Sequence, residues 1–197
     1  MMQLWTIQKI EAWDVLQQRG ELQVKRDFAD RDLLAAYDWM GKQMEGQIFT
    51  PSTCSELVPI WAWSQFCGAR SKRPDLRSRW LLPSGTEGCL IEFNAPDDHV
   101  LLSDFDLWHY VLNFSYLATC EEDLERFESQ YLAQRWSWNE LPPAGIKSEI
   151  ENSWQRIFDL DWQDPAITLS SNEQAIQATL WTLKSDWIAR VDEFVAR

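Results

Sequence analysis

The chain has only two histidines, His99 and His109, only seven glycines and eight prolines in 197 residues, and only 18 lysines and arginines against 31 acids. Each scarcity excludes something. So little glycine and proline, with 45% hydrophobic and 25% charged residues, rules out low-complexity and disordered organisation, and a chain this long buries a core without staples. The net charge of −13 argues against broad attraction to a phosphate backbone, which depends on basic side chains releasing counterions. No window approaches eighteen consecutive apolar residues, so no membrane-spanning helix is expected. The opening MMQLWTIQKI lacks a basic region followed by an apolar core, so a cytoplasmic location is expected. Cys54, Cys67, Cys89 and Cys120 form no C-x-x-C pair, have no histidine set beside them, and are expected as buried free thiols. G-x-G-x-x-G, Walker, G-x-S-x-G and H-E-x-x-H signatures are all absent, which leaves those mechanisms without support.

What is abundant is tryptophan, thirteen residues from Trp5 to Trp187, most of which belong in a core because aromatic side chains bury large areas. Alternation in QLWTIQ (3–8) predicts a strand, and Ile10, Trp13, Val15 and Leu16 predict a helix that stops at Gly20. Leu22 and Val24 suit a second short strand, and Leu33, Leu34, Tyr37, Met40 and Met44 mark one face of a further helix. LVPIWAWSQF (57–66) reads as a strand with Ile60 and Ala62 on one face and Trp61 and Trp63 on the other. Residues 67–88 carry Arg70, Lys72, Arg73, Arg77 and Arg79 between glycine and proline signals, a basic loop in an acidic chain. CLIEFNAP and HVLLSDF are further strands around a turn-rich APDD. Helices are expected from Asp106, from about Glu121 to Trp138 where LPPAG intervenes, and through SEIENSWQRIFDLDWQD. AIQATLWTL reads as strand or helix, its threonines favouring one and its alanine, glutamine and leucine the other.

Three groups of residues carry candidate chemistry. Ser103, Asp104, Asp106 and His109 sit within LLSDFDLWHYVLN (101–113). By type they suit a metal or an oriented imidazole, yet acids before and within a first helical turn are also what capping favours, and capping accounts for the residue types. The basic loop offers arginine forks for phosphate, with Trp61, Trp63 and Trp80 nearby for stacking; a solvated charge run is the ordinary alternative. Glu149, Glu151 and Glu173 are suited to general-base work or to a plain helix surface.

The blocks LWTIQ, AYDWM, PIWAW, RPDLRS, LLSDFDLWHYVLN, SWQRIFDL and QATLW resemble those of a bacterial family known as domain of unknown function 3841, over nearly the whole chain. More distantly, the block order is similar to that of nucleic-acid-modifying ADP-ribosyltransferase toxins of the DNA thymidine ADP-ribosyltransferase type. LWTIQKIEAWDVLQQRG, from Leu4 to Gly20, has the length of their first strand–helix block, and VPIWAW, LIEF, SDFDLWH, SWQRIFDLDW and QATLWTL follow in their order.

The resemblance implies an α+β, ADP-ribosyltransferase-like fold, two small twisted sheets with surrounding helices, in a single domain spanning 1–197. It implies NAD as cofactor, with Thr6, Gln8 and Lys9 in its pocket, Arg70 or Arg73 on the pyrophosphate and Trp61 or Trp63 bordering the nicotinamide. Ser103 and Asp104 would form the turn beside the cleft, with His109 one helical turn on. Gln177 would contact ribose or acceptor, and Thr179 stands where the relatives carry the catalytic glutamate. A neutral threonine cannot stabilise an oxocarbenium-like centre, so either Glu173 or another acid substitutes, the acceptor is activated differently, or the fold is kept for binding alone. The implied activity is transfer of ADP-ribose to a nucleic-acid base or a protein, by a toxin or phage-defence effector with an antidote protein. The alternative is a non-catalytic nucleotide- or partner-binding module. A deeply buried Thr179 packed by Leu180 weakens the enzymatic reading; one in a cleft facing Arg70 and Trp63 favours it.

Overall fold

The computed structural model describes residues 1–51, 53–133, 142–164 and 166–197. The part of the expected acidic helix beyond residue 133, including Trp136 and Trp138, falls outside them. The chain divides into two compact units, residues 1–102 with 175–197, and residues 103–174.

In the first unit the chain runs through β1 (Met2–Lys9), α1 (Ile10–Arg19), β2 (Glu21–Leu22), β3 (Val24–Lys25), α2 (Leu34–Glu45), β4 (Leu57–Val58), β5 (Ile60–Gln65) and β6 (Glu87–Ala95). β7 (Leu101–Asp104) carries it into the second unit, which holds α3 (Phe105–Leu112), α4 (Glu121–Ala133) and α5 (Ala144–Ser153). It returns through β8 (Ile176–Leu180), β9 (Leu183–Lys184) and β10 (Ile188–Val195). α1 stops where the sequence places its stop: Gly20 has φ 77 and its N–H reaches the Leu16 carbonyl, a left-handed close that glycine makes without a Cβ penalty.

The fold is mixed α and β, as expected, but the strands are distributed differently. One six-stranded sheet, in the order β10-β6-β1-β5-β8-β7, is accompanied by two-stranded ladders β2–β9 and β3–β4, where two small sheets were anticipated. The reason is β6, which pairs antiparallel with β1 from Gly88 to Ala95 on one side and with β10 from Glu87 to Phe93 on the other. The stretch read as one strand around Leu22 and Val24 splits, because Leu22 pairs with Leu183 while Val24 pairs with Val58.

AIQATLWTL resolves as strand β8, antiparallel to β5. Ala178 and Leu180, opposite Ala62 and Ile60, join Leu4, Ile91 and Phe93 in the core cluster, with Leu16 of α1 among them. Burial of each large apolar side chain contributes about 1.5–3 kcal/mol, which overrides the helical preference of alanine and leucine in this segment. All four cysteines are free, but only Cys89 is buried; Cys67 and Cys120 are exposed and Cys54 is half-buried. The difference is one of place, since Cys89 lies on the inward face of β6 and the exposed pair lie in polar turns. Burial pushes the Cys89 thiol up to about 11.

The second unit is organised by Trp154, 2% exposed, whose indole N–H donates to the Ser115 carbonyl at 2.7 Å. Beside it, the Asp123 carboxylate accepts from the Thr119 backbone N–H, the Tyr116 hydroxyl and the Arg126 guanidinium, and Arg126 continues to Glu149 at 2.7 Å. The helix predicted through SEIENSWQRIFDLDWQD divides into α5 and a 3-10 turn from Trp154 to Phe158, and residues 159–164 are not helical.

Candidate functional site

Antiparallel pairing puts directly opposed residues on the same face, and the register therefore builds a row across five strands. Arg190 of β10 opposes Glu92 of β6, Glu92 opposes Trp5 of β1, Trp5 opposes Trp63 of β5, and Trp63 opposes Gln177 of β8. Adjacent strands lie about 4.8 Å apart, so Gln177 and Trp5 flank Trp63 at roughly one strand spacing each. The Trp5 indole donates to Glu92 at 3.2 Å and Gln3 donates to the other Glu92 oxygen at 2.6 Å. Gln177 is 7% exposed, and its Oε1 is buried with no hydrogen-bond partner among the described residues. An unmet buried amide oxygen costs about 1–3 kcal/mol.

The basic loop straps this face. Its start is folded back by hydrogen bonds from Phe66 N–H to the Lys72 carbonyl and from Cys67 N–H to the Ser71 carbonyl. Phe66 and Trp80 stack at 5.2 Å with 9° between their planes, and each meets Trp63 edge-on, at 5.0 and 6.1 Å. At the far side Arg73 reaches Asp192 of β10 at 2.7 Å. Asp192 also accepts from Arg190, and hydrogen bonds from Arg190 and then Arg73 hold its carboxyl below the usual range. Arg77 is occupied by Asp75. Arg70, Lys72 and Arg79 are exposed and form no ion pair among the described residues. Trp80 is 60% exposed. The strap thus sets Phe66 and Trp80 against Trp63, in a row that ends in an unsatisfied amide, and carries three exposed cations elsewhere along its length.

The residues singled out from the sequence divide around this geometry. Trp61 and Trp63 share the face, as the alternation predicts, with Trp61 half-buried against Tyr37 at 5.7 Å. Gln177 and Thr179 lie opposite them. Thr179 is completely buried, next to an equally buried Leu180, and its hydroxyl donates to the Leu101 carbonyl at 3.3 Å. Thr6 and Gln8 have the other parity and lie on the face of the core cluster, opposite Ile91 and Cys89. The Thr6 hydroxyl bridges to the Trp61 carbonyl at 2.7 Å and accepts from Gln8. Lys9 is exposed at the end of β1. Arg70 remains exposed in the loop, whereas Arg73 has its charge answered by Asp192.

Ser103, Asp104, His109 and Glu173 belong to the second unit. Asp104, 1% exposed, caps α3 by accepting from Leu107 N–H at 2.9 Å and also accepts from Gln174 at 2.7 Å. Ser103 is fully buried, and its hydroxyl has no partner among the described residues. His109 is exposed, with Nδ1 3.0 Å from the Phe105 carbonyl. Glu173 is exposed and accepts from Ser170. Among the described residues no three His, Cys, Asp or Glu side chains are grouped as metal ligands. Asp106 is raised above the usual carboxylate range, by burial first and then by the Asp104 charge.

Trp5, Glu92, Phe66 and Asp192 are absent from the sequence reading of the site. Trp5 carried a usable signal, an aromatic at the right parity in β1, but choosing it over Thr6 requires the β1–β5 register. Residues 3–189 match the family described as Domain of unknown function (DUF3841), and the chain belongs to that family. No curated protein matches the chain, and no solved structure does. No helix among the described residues is long and apolar enough to cross a membrane.

Proposed function

We propose that this protein binds a nucleotide, NAD or another carrier of ADP-ribose, on the aromatic face of its sheet, and that it acts as a binding module. The observation that carries the reading is Gln177, a buried amide with an unmet oxygen, in register beside Trp63 and Trp5. A nucleobase or nicotinamide carboxamide supplies the N–H that Gln177 lacks, and aromatic rings give stacking energy of about 1–3 kcal/mol per base. Arg70, Lys72 and Arg79 supply phosphate contacts, and arginine does so as a two-pronged donor. The buried Thr179 and its committed hydroxyl favour binding over transfer chemistry.

Transfer of ADP-ribose to a nucleic-acid base or protein has one specific support. Glu92 is a half-buried carboxylate in the same row, held by Trp5 and Gln3, and an acid is what an oxocarbenium-like centre calls for. Calorimetric titration with NAD and ADP-ribose tests the first reading. Saturable binding that weakens about tenfold in Trp80→Ala and Arg70→Ala, both at exposed positions, supports it. No binding by folded wild type defeats it and leaves a protein partner as the ligand of this face. Label transfer from NAD that is lost in Glu92→Gln would establish the second reading.

A further inference from the structure

A cavity of about 260 Å³ lies in the first unit between α2 and residues 54–57, with Trp181 in its wall. None of its residues enters the nucleotide reading. Its volume is just below the roughly 300–1,000 Å³ of pockets for drug-sized ligands, a size that suits a small molecule. Gly41 gives the helix room beside the indole: a Cβ there would come within 3.1 Å of the Trp181 ring, which would have to give by a few tenths of an ångström.

The cavity wall holds polar groups that the protein leaves unused. Trp181, 4% exposed, brings the edge of its ring to Gly41. The half-buried Tyr37 hydroxyl makes no hydrogen bond among the described residues. Burial, and then the charge of Asp30, raise the Tyr37 pKa and keep it a neutral donor. The charges separate into a closed pair and an open one. Arg26 and Asp38 hold each other through both guanidinium prongs. Lys42 and Glu45, one turn apart on α2, form no ion pair among the described residues, and Glu45 takes only the Cys54 thiol at 3.6 Å.

One unspent cation, one unspent anion and one unspent neutral donor beside the apolar Leu57 and the Trp181 ring describe a ligand with both charges and an apolar body. We propose that this cavity binds a free α-amino acid with an apolar or aromatic side chain. Its carboxylate accepts from Lys42 and the Tyr37 hydroxyl, its ammonium donates to Glu45, and its side chain packs on Leu57 and the aromatic rings.

The test is calorimetry on the full chain with L-phenylalanine and L-leucine, beside 3-phenylpropionate and phenethylamine, which each keep one of the two charges. The expected result is saturable binding of at least one amino acid, at least tenfold weaker binding of both single-charge probes, and at least tenfold loss in Lys42→Met and in Glu45→Gln. Both substituted positions are exposed, so the thermal midpoint should hold and NAD binding should not change. Absence of saturable binding of both amino acids by folded wild type overturns the proposal. So does equal affinity for the single-charge probes, or full affinity in either variant.

Discussion

Replacing Gln177 by leucine removes an amide that is 7% exposed and whose oxygen meets no donor among the described residues, while keeping a side chain of similar reach on the same face of β8. Leaving such an acceptor unmet costs about 1–3 kcal/mol, and replacing it with an apolar group of like shape recovers much of that. Allowing for imperfect packing of the new branch, the free protein should gain about 1 kcal/mol. With an urea m-value near 2–3 kcal/mol/M for a chain of this size, the unfolding midpoint should rise by about 0.3–0.5 M at unchanged m. The same variant should bind NAD about tenfold more weakly, because the hydrogen bond to the ligand is gone. Stability and affinity therefore move in opposite directions, as expected where a site keeps a polar group unsatisfied for its ligand. A midpoint that falls at constant m, or NAD affinity that stays as in wild type, would refute the reasoning.

Gly88→Ala should cost about 1–3 kcal/mol by urea titration. Its Cβ would lie 2.4 Å from Leu82 Cδ1, which can move, and 3.0 Å from the Gln8 carbonyl, which the β1–β6 ladder holds in place. An unchanged midpoint would mean that the β1–β6 ladder yields beside residue 88. Arg73→Ala should leave NAD affinity within about threefold of wild type and change stability by less than about 1 kcal/mol, since the partly exposed Arg73–Asp192 pair is screened. Arg70→Ala should weaken NAD much more, and the reverse ranking would assign the pyrophosphate to Arg73. Asp123 contributes to acid stability. Burial opposes its charge, but hydrogen bonds from the Thr119 N–H, Arg126, Tyr116 and the Thr119 hydroxyl hold its carboxyl at about 2. Because the folded value lies below the unfolded one, its contribution is present above about pH 4 and is lost as pH falls toward 2. After screening it amounts to about 1–2 kcal/mol. Asp123→Asn should flatten the stability–pH curve in that window, measured by denaturant midpoints from pH 2 to 6; an unaltered slope would refute the network.

How much of this was legible depends on whether the deciding interaction is local. The two faces of β5 follow from its own alternation, and Ile60 and Ala62 do turn to the core while Trp61 and Trp63 turn away. The cap at Asp104 is local too, three residues from the N–H it accepts. β1 is different. Leu4 and Trp5 are adjacent and both buried, so alternation does not say which parity faces which layer. Only the pairing with Trp63 and Glu92 settles it, and a shift of one residue exchanges the faces. Arg73 and Asp192 are 119 positions apart, and nothing near either foretells the other. β8 was ambiguous for the same reason, because its state is set by β5 rather than by its own composition.

The burial of Thr179 weighs on function more than its identity does. A glutamate at that position would need an ion pair, a hydrogen-bond set or water to keep its charge, since an isolated buried carboxylate neutralises instead. The position is fully buried, its neighbour Leu180 is equally buried, and its hydroxyl donates to a backbone carbonyl, which would repel a carboxylate. Restoring an acid by Thr179→Glu would therefore unfold the strand before it created chemistry. Gln177, two residues earlier on the same face, keeps its amide beside Trp63 with its oxygen unspent. The polar capacity of β8 is thus concentrated at a neutral group suited to recognising a ligand, and the acid nearest to it in the row, Glu92, lies beyond both tryptophans and is already engaged by one of them. That arrangement is why binding is the stronger reading of this face.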